Sequence, residues 1–258
     1  MSILSAVLTL VRGLPLALAL MASRLLVLVY LAASPESRQE IGRNYRRVFG
    51  CNGRRFWLKQ AWRLGGNLAL MSRIGQRSLD KWLDRTRFSG DNILEQIMLR
   101  ERKAIVLSLH YGLWELLPQV FARRGYQACV GLGGQFDREF GNSLLQLRAG
   151  HGVRMTESIA EMRRAARAGQ LVGFALDNTS RTRGVECDTI WPGFRLLRTP
   201  FALARAERAV LVPMFMFQDG DHPRVEICEP VASAREFGTQ ARRMIEARPE
   251  DWLFWGKG

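Results

Sequence analysis

The segment Lys103-Ala-Ile-Val-Leu-Ser-Leu-His110-Tyr-Gly-Leu-Trp-Glu115 contains a short apolar run, then a histidine, and a carboxylate five positions later. Residues 104–109 have the length and bulk of a buried parallel strand. Apolar residues recur with helical spacing after Gly112. His110 is therefore predicted at the carboxyl end of a strand, which is the edge where open α/β sheets bind their ligands.

The spacing of His110 and Glu115 allows a functional pair only in one local geometry. On a regular helix the two side chains would lie about 140° apart and could not meet. With His110 in the turn and Glu115 in the first helical turn, the carboxylate can hold one ring nitrogen while the other takes a proton. Pro118 favours a helix that begins near Glu115. A strand-end histidine beside an ordinary helix N-terminal acid is the alternative, and this segment leaves both open.

The rest of the chain alternates between strand and helix patterns. Strands are predicted near 104–109, 127–132, 171–176 and 210–217, with a β pair near 224–232. Helices are predicted near 114–124, 138–149, 157–168, 197–208 and 235–247, and residues 36–85 have a helical pattern throughout. Ser158 and Glu161 have capping-box spacing. This alternation predicts an α/β fold with a mostly parallel central sheet flanked by helices.

The apolar leader predicts a membrane-anchoring helix. Residues 14–33 are long enough to span a bilayer, but Arg24 would then lie near the middle, which is costly. The helix either tilts so that Arg24 reaches the headgroups or lies in the interface. A soluble protein with a buried N-terminal helix is the alternative. We predict an anchor over 1–35 and a folded domain over 36–258, helical over 36–100 and α/β over 101–258.

The charge of the chain predicts an anionic partner. The 258 residues carry a formal net charge of +14, nearly all of it from arginine, which binds phosphate bidentately. The basic cluster Arg38, Arg43, Arg46 and Arg47 favours a domain on the cytoplasmic side of the membrane, beside anionic lipid. A nucleic-acid-binding protein would also suit the charge, but the basic residues are dispersed and carry no recognised binding motif.

Several further residues are interpreted as structural. The basic group Arg163, Arg164 and Arg167 is predicted to form a solvated helix face. The four cysteines are widely scattered, so we predict that they are reduced and structural and that they form no metal cluster. His222 is predicted in a turn, and the tryptophans near the end of the chain in the core.

An ordered set of stretches carries a family resemblance. They are the apolar leader with Arg43-Asn44, His110-Tyr-Gly-Leu-Trp-Glu115-Leu, Arg148-Ala-Gly-His-Gly152, Gly173-Phe-Ala-Leu-Asp177 followed by Arg183-Gly184-Val185, Arg205-Ala-Glu-Arg-Ala-Val-Leu-Val-Pro213, and Pro249-Glu-Asp-Trp-Leu-Phe-Trp255. Together they resemble the late acyltransferases of bacterial lipid A biosynthesis, the lauroyl and myristoyl transferases, within the wider lysophospholipid acyltransferase superfamily. The chain departs from the family pattern at Ile190-Trp-Pro-Gly193, where the family usually has two adjacent phenylalanines and a glycine.

The resemblance implies a glycerolipid acyltransferase-like fold and a reaction. The enzyme would move a fatty acyl chain from a thioester to a hydroxyl of a membrane glycolipid, at the inner membrane and with its catalytic domain on the cytoplasmic side. His110 would be the general base and Glu115 would orient it. Backbone N–H groups of Tyr111 and Gly112 would receive the oxyanion. The co-substrate would be acyl-acyl carrier protein or acyl-CoA, and no metal or other cofactor is expected.

Three residues are predicted to contact the substrates. Arg148 and Arg183 are candidates for phosphate on the acceptor or on the pantetheine arm of the donor. Asp177, at the end of its own strand, is predicted to face the same crevice.

The sequence leaves several alternatives open. The acceptor could be lipid A, an ornithine or other glycolipid, or a lysophospholipid. A catalytically inactive protein with this fold is a second interpretation. A metal-dependent hydrolase is a third, although His110 and Glu115 lack the H-E-x-x-H spacing.

Overall fold

The computed structural model describes residues 10–101, 103–131, 153–178 and 184–256. The predicted helix at 138–149 and the candidate residues Arg148 and Arg183 lie outside these ranges. The described helices are α1 Leu16–Ala33, α2 Pro35–Phe49, α3 Phe56–Met71, α4 Arg77–Leu83, α5 Asp91–Arg100, α6 Leu117–Arg123, α7 Ile159–Arg167, α8 Thr199–Glu207 and α9 Ala234–Ala247. Short 3₁₀ turns cover Trp114–Leu116, Pro249–Asp251 and Leu253–Gly256.

The described strands form a seven-stranded sheet and a small two-stranded one. The strands are β1 Arg87–Ser89, β2 Ala104–Ser108, β3 Ala128–Gly131, β4 Val153–Thr156, β5 Leu171–Ala175, β6 Val185–Glu186, β7 Arg195–Leu196, β8 Val210–Asp219 and β9 His222–Ile227. The large sheet has the order β1-β9-β8-β2-β5-β3-β4, and only the β8–β9 hairpin within it is antiparallel. The predicted mostly parallel α/β fold is confirmed.

The central strand β2 is buried along its whole length, as its apolar run predicts. Helices on both faces cover the sheet, so the four apolar side chains of β2, those of residues 104–107, pack against other apolar groups. The edge strands β1 and β4 were not predicted, because runs of three or four residues are too short to show a periodic pattern. His222 begins strand β9, so its prediction as a turn residue was wrong.

The long helical region divides into separate helices. The pattern over 36–85 breaks at Gly50, which adopts a left-handed conformation after α2, and again after Met71. The helix after His110 begins with a 3₁₀ turn at Trp114, and Pro118 lies in the first turn of α6, as predicted. Ser158 caps α7 by accepting a hydrogen bond from the Glu161 N–H.

The apolar helix α1 packs along α3. It buries the stripe of Ala19, Ser23, Val27 and Leu31, which share one side because they are four residues apart. Its opposite side exposes large apolar side chains: Leu16, Leu18, Met21, Leu25, Leu26, Val29 and Tyr30. By length and composition α1 is the one described helix that could cross a membrane, with a mean hydropathy of 2.2.

Candidate active site

Two adjacent parallel strands bring His110 and Asp177 together. Ser108 at the end of β2 is in register with Ala175 at the end of β5, and the Leu176 N–H donates to the Ser108 carbonyl at 2.9 Å. Two residues further along each strand, the chain reaches His110 and Asp177. The shared register therefore places both side chains at the carboxyl-end edge of the sheet.

The carboxylate of Asp177 holds both the backbone and the ring of His110. The His110 N–H lies 3.0 and 3.1 Å from its two oxygens, and His110 Nδ1 lies 2.6 Å from Oδ1. An ionised carboxylate can only accept hydrogen bonds, so Nδ1 carries the proton and Nε2 carries the lone pair. The His110 side chain is 15% exposed and that of Asp177 is 0% exposed. The site is thus a fixed imidazole with a buried carboxylate behind it.

The terminal segment completes the support of Asp177. The indole Nε1 of Trp252 donates to Asp177 Oδ2 at 2.7 Å, and the Leu253 N–H donates to the His110 carbonyl at 2.9 Å. Trp252 is fully buried, so its prediction as a core residue is confirmed. The sequence analysis missed its hydrogen bond to Asp177. The only sequence signal for that bond was the position of Trp252 within the terminal stretch.

The backbone amides after His110 are already engaged. The N–H groups of Tyr111, Gly112 and Leu113 donate to the carbonyls of Leu109, Asp251 and Met216, each at 2.7 Å. The prediction placed an oxyanion at Tyr111 and Gly112. Because these donors are bonded inside the protein, the structure gives that role no support, and we do not retain it.

Gly112 fixes the direction of the turn. Its φ of +56° lies in the left-handed region, and an added Cβ would overlap the carbonyl oxygen of Met216. The Gly112 carbonyl accepts from Asn67 Nδ2 of α3 at 3.1 Å. The turn after His110 is therefore held from the sheet on one side and from the helical part on the other.

The remaining predicted residues fall into three groups. Asp177 was predicted to contact substrate, but its side chain is buried and both oxygens bond His110 or Trp252, so we reassign it to positioning. Glu115 lies half-buried on the 3₁₀ turn that follows the His110 loop, and its role stays a prediction. Arg148 and Arg183 lie outside the described residues.

An ionic cluster centred on the buried carboxylate of Asp251 contacts the same turn. Asp251 accepts from Arg248 Nε at 2.8 Å and pairs with Arg63 Nε at 3.3 Å. Burial raises the pKa of the Asp251 carboxyl, although both arginines act in the opposite direction. Its backbone carbonyl is the acceptor for the Gly112 N–H. This cluster therefore links helix α3 to the turn that carries His110.

The cysteines show no sign of a nucleophilic role. All four are free thiols, as predicted, and burial raises the pKa of Cys129, Cys187 and Cys228, the last to about 12. A buried thiol with a raised pKa is a poor nucleophile. Across the described ranges, no three side chains of His, Cys, Asp or Glu are grouped to hold a metal ion.

This fold and site define an α/β protein with a histidine–aspartate pair at the ligand-binding edge of a mostly parallel sheet. A sequence model described as bacterial lipid A biosynthesis acyltransferase matches residues 1–255, and the chain belongs to that family. The resemblance inferred from the ordered stretches is thereby confirmed. The protein is an acyltransferase with a lipid acceptor and an acyl thioester donor. A search of curated proteins returned no match.

Proposed function

We propose that the protein transfers a fatty acyl chain from acyl-acyl carrier protein or acyl-CoA to a hydroxyl of a lipid A-type glycolipid, with His110 as the general base. The observation that carries this proposal is the 2.6 Å contact between His110 Nδ1 and Asp177 Oδ1. It fixes the tautomer in which Nε2 accepts a proton. A base placed in this way at the ligand-binding edge of the sheet suits attack by a hydroxyl on a thioester.

The proposed step needs one proton acceptor and no covalent enzyme intermediate. Nε2 of His110 takes the hydroxyl proton while the hydroxyl oxygen attacks the thioester carbonyl carbon. The new C–O bond forms, the C–S bond breaks, and the departing thiolate takes the proton back from the imidazolium. Asp177 stabilises the imidazolium because its negative charge lies against the protonated ring.

The proposal gives a role to two carboxylates. Asp177 orients the ring through Nδ1, and Glu115 supplies the second negative charge in the turn that follows. Arg148 and Arg183 remain our candidates for the phosphate groups of acceptor or donor, because arginine binds phosphate bidentately.

The location proposed for the protein is the cytoplasmic side of the inner membrane. The exposed apolar side of α1, next to exposed Leu58 and Trp62 of α3, supports insertion into the interfacial layer. The packing of α1 on α3 favours an interfacial position over a free span, since one side of the helix already contacts protein. The arginines that follow α1 favour the cytoplasmic side and anionic lipid.

Lipid mass spectrometry of cells with and without the gene tests the reaction. The wild type should add one acyl-chain mass to a membrane glycolipid, and His110→Ala should abolish the addition. His222→Ala is the matched control, because His222 lies on strand β9 and its Nε2 contacts Arg85. An unchanged product from His110→Ala would remove His110 from the mechanism.

Kinetics in detergent separate the roles of the two carboxylates. In Asp177→Asn the amide can donate to Nδ1 and favours the wrong tautomer, so kcat should fall by about 10³–10⁴ with KM little changed. Glu115→Gln should lower kcat by less than Asp177→Asn does, because Glu115 contributes only its negative charge in this proposal. A larger loss in Glu115→Gln than in Asp177→Asn would assign the orienting role to Glu115.

Vesicle flotation tests the membrane-binding side. Leu25→Gln with Val29→Gln changes two exposed residues of α1 and should weaken vesicle binding at least about tenfold. Leu99→Gln with Ile159→Gln is the control, since these exposed apolar residues lie on other helices. Equal binding of the two double variants would contradict insertion through α1.

A further inference from the structure

A pocket between α1, α3 and the Pro249–Asp251 turn has a volume of about 680 Å³ and is lined by several cations. Arg24 comes from α1, Lys59 and Arg63 come from α3, and Glu250 is the carboxylate that also lines it. Arg63 has acidic neighbours, since it lies 3.8 Å from Glu250 and 3.3 Å from Asp251. The excess positive charge of the pocket therefore comes from Arg24 and Lys59.

The guanidinium of Arg24 is held in place with an unused donor. It stacks over the Trp62 ring, with Cζ 4.7 Å from the centroid. Gly66 leaves room beside it, because an added Cβ would come within 3.4 Å of Nε. Arg24 Nε is buried and has no hydrogen-bond partner among the described residues. Arg24 also lines the pocket, so an anion with several acceptor oxygens can accept from the donor fork of its guanidinium.

The surroundings of the pocket favour a lipid as the source of that anion. Leu28, Leu58 and Trp62 line the pocket beside the cations, and Leu58 and Trp62 are exposed. The outer side of α1, with Leu25 and Val29, continues the apolar surface. A free inorganic anion would gain nothing from these apolar groups, whereas the headgroup and first chain carbons of a lipid fit both surfaces.

We infer that this pocket is a binding site for the phosphate of a membrane-lipid headgroup, held by Arg24 and Lys59 against the ring of Trp62. The site explains why an arginine is placed in the middle of an apolar helix, since its charge lies where headgroup phosphate would meet it. The inference goes beyond the proposed function, because lipid phosphate binding requires no acyl transfer.

The pocket is connected to the reaction centre through the Pro249–Asp251 turn. Arg63 pairs with Asp251, the Asp251 carbonyl accepts the Gly112 N–H, and the next residue, Trp252, bonds Asp177. The Pro249–Asp251 turn therefore connects a lipid bound at the pocket to the turn that carries His110.

The test compares two kinds of anionic vesicle of matched surface charge. Phosphatidylcholine vesicles receive a minor fraction of either phosphatidic acid, which carries a phosphate monoester, or cholesteryl hemisuccinate, which carries a carboxylate. The full-length wild type should bind the phosphatidic acid vesicles about tenfold more tightly, which is the effect of one good charge-assisted hydrogen-bond pair. Equal binding of the two vesicles by the wild type would overturn the inference.

The variants separate the pocket from general surface charge. Arg24→Gln with Lys59→Gln should lose the preference for phosphatidic acid vesicles. Its affinity for the hemisuccinate vesicles should fall no further than the affinity of Arg54→Gln with Arg55→Gln does. The latter pair is the charge-matched control, because both arginines are exposed and lie outside the pocket. A preference that persists in the pocket variant, or one lost equally in the control, would overturn the inference.

Three additional measurements keep the test decisive. Lys59→Gln alone changes an exposed side chain, folds independently of the Arg24 packing, and should lower the preference about fivefold. Inorganic phosphate, compared with chloride at equal ionic strength, should leave the preference intact, and full displacement by it would overturn the lipid assignment. His110→Ala should bind both vesicles as the wild type does, so a failure of the proposed chemistry is visible separately.

Discussion

The indole of Trp252 donates to Asp177 Oδ2 at 2.7 Å, while the ring Nδ1 of His110 contacts the other oxygen, Oδ1, at 2.6 Å. Asp177 therefore binds the His110 ring through Oδ1 and the Trp252 indole through Oδ2, and it cannot rotate without losing one of these two hydrogen bonds. The two residues are 75 positions apart in sequence. We infer that Trp252 is a positioning residue, acting on His110 through Asp177.

Replacing Trp252 by phenylalanine should lower kcat without a matching rise in KM. The substitution retains most of the buried ring but removes the donor to Asp177, so we expect a loss of about tenfold in kcat, the value of a hydrogen bond to a charged group. Steady-state kinetics of acyl transfer measures it. In an Asp177→Asn background, Trp252→Phe should lower kcat little further, because its effect on His110 depends on the Asp177 carboxylate.

Trp255→Phe is the matched control for that variant. Trp255 is equally buried, and its indole donates to the Pro249 carbonyl and not to Asp177. Its kcat should stay within a factor of about two of the wild type once both proteins are folded. Equal losses in the two variants would show that Trp252 only supports the fold.

The sequence predicted the strand ends of the site but not the pairing between them. His110 and Asp177 each follow an apolar run, so both could be placed at one edge of a parallel sheet. The neighbour of β2 in that sheet depends on long-range strand pairing, which has no local pattern. The local sequence pattern therefore indicates Glu115, which is close in sequence, as the partner of His110. Asp177 was assigned to substrate, and the donor from Trp252 was missed.

Gly112→Ala should destabilise the protein and impair the reaction. The alanine would have to adopt a φ of +56° and would overlap the Met216 carbonyl, so we expect a loss of about 2–4 kcal/mol in unfolding free energy. Thermal or denaturant unfolding measures this loss.

Gly125→Ala is the control for Gly112→Ala, because φ at Gly125 is +85° but nothing lies within 4 Å of the added Cβ. It should lose only about 1 kcal/mol. Similar losses at both positions would mean that the overlap is relieved by a small shift of the backbone.

The stability contributed by Glu207 should depend on pH. The Arg163 and Arg167 side chains are 45% and 60% exposed, as a solvated helix face requires, and they also bond the buried Glu207 carboxylate at 2.6 and 2.7 Å, which joins α7 to α8. The hydrogen bonds from Arg167 and Arg163 lower the pKa of Glu207 from 4.5 to about 2. Because the pKa is lowered by folding, the contribution is complete above pH 4.5 and disappears as the pH falls through about 2.

Melting temperatures of Glu207→Gln across the pH range test that linkage. The variant should melt below the wild type at neutral pH, and the difference should shrink as the pH falls from 4.5 toward 2. Glu246→Gln is the control, because Glu246 pairs with Arg242 on an exposed helix surface and should matter little. A difference that does not change with pH would show that the variant acts through packing.

Gly65→Ala should loosen the contact between α1 and α3. An added Cβ would lie 2.5 Å from the Arg24 Cα, which is backbone and can yield only if the helices move apart, so we expect a loss of about 1–3 kcal/mol in unfolding free energy. Gly42→Ala in α2 has nothing within 4 Å and should instead gain about 0.5–1 kcal/mol from helix propensity. Chemical unfolding in detergent compares the two variants.

Because Arg24 lies at this contact, Gly65→Ala should also reduce the phosphate preference in the vesicle assay, while Gly42→Ala should leave that preference unchanged. A stable Gly65→Ala variant with wild-type vesicle binding would mean that α1 is not held to α3 in solution.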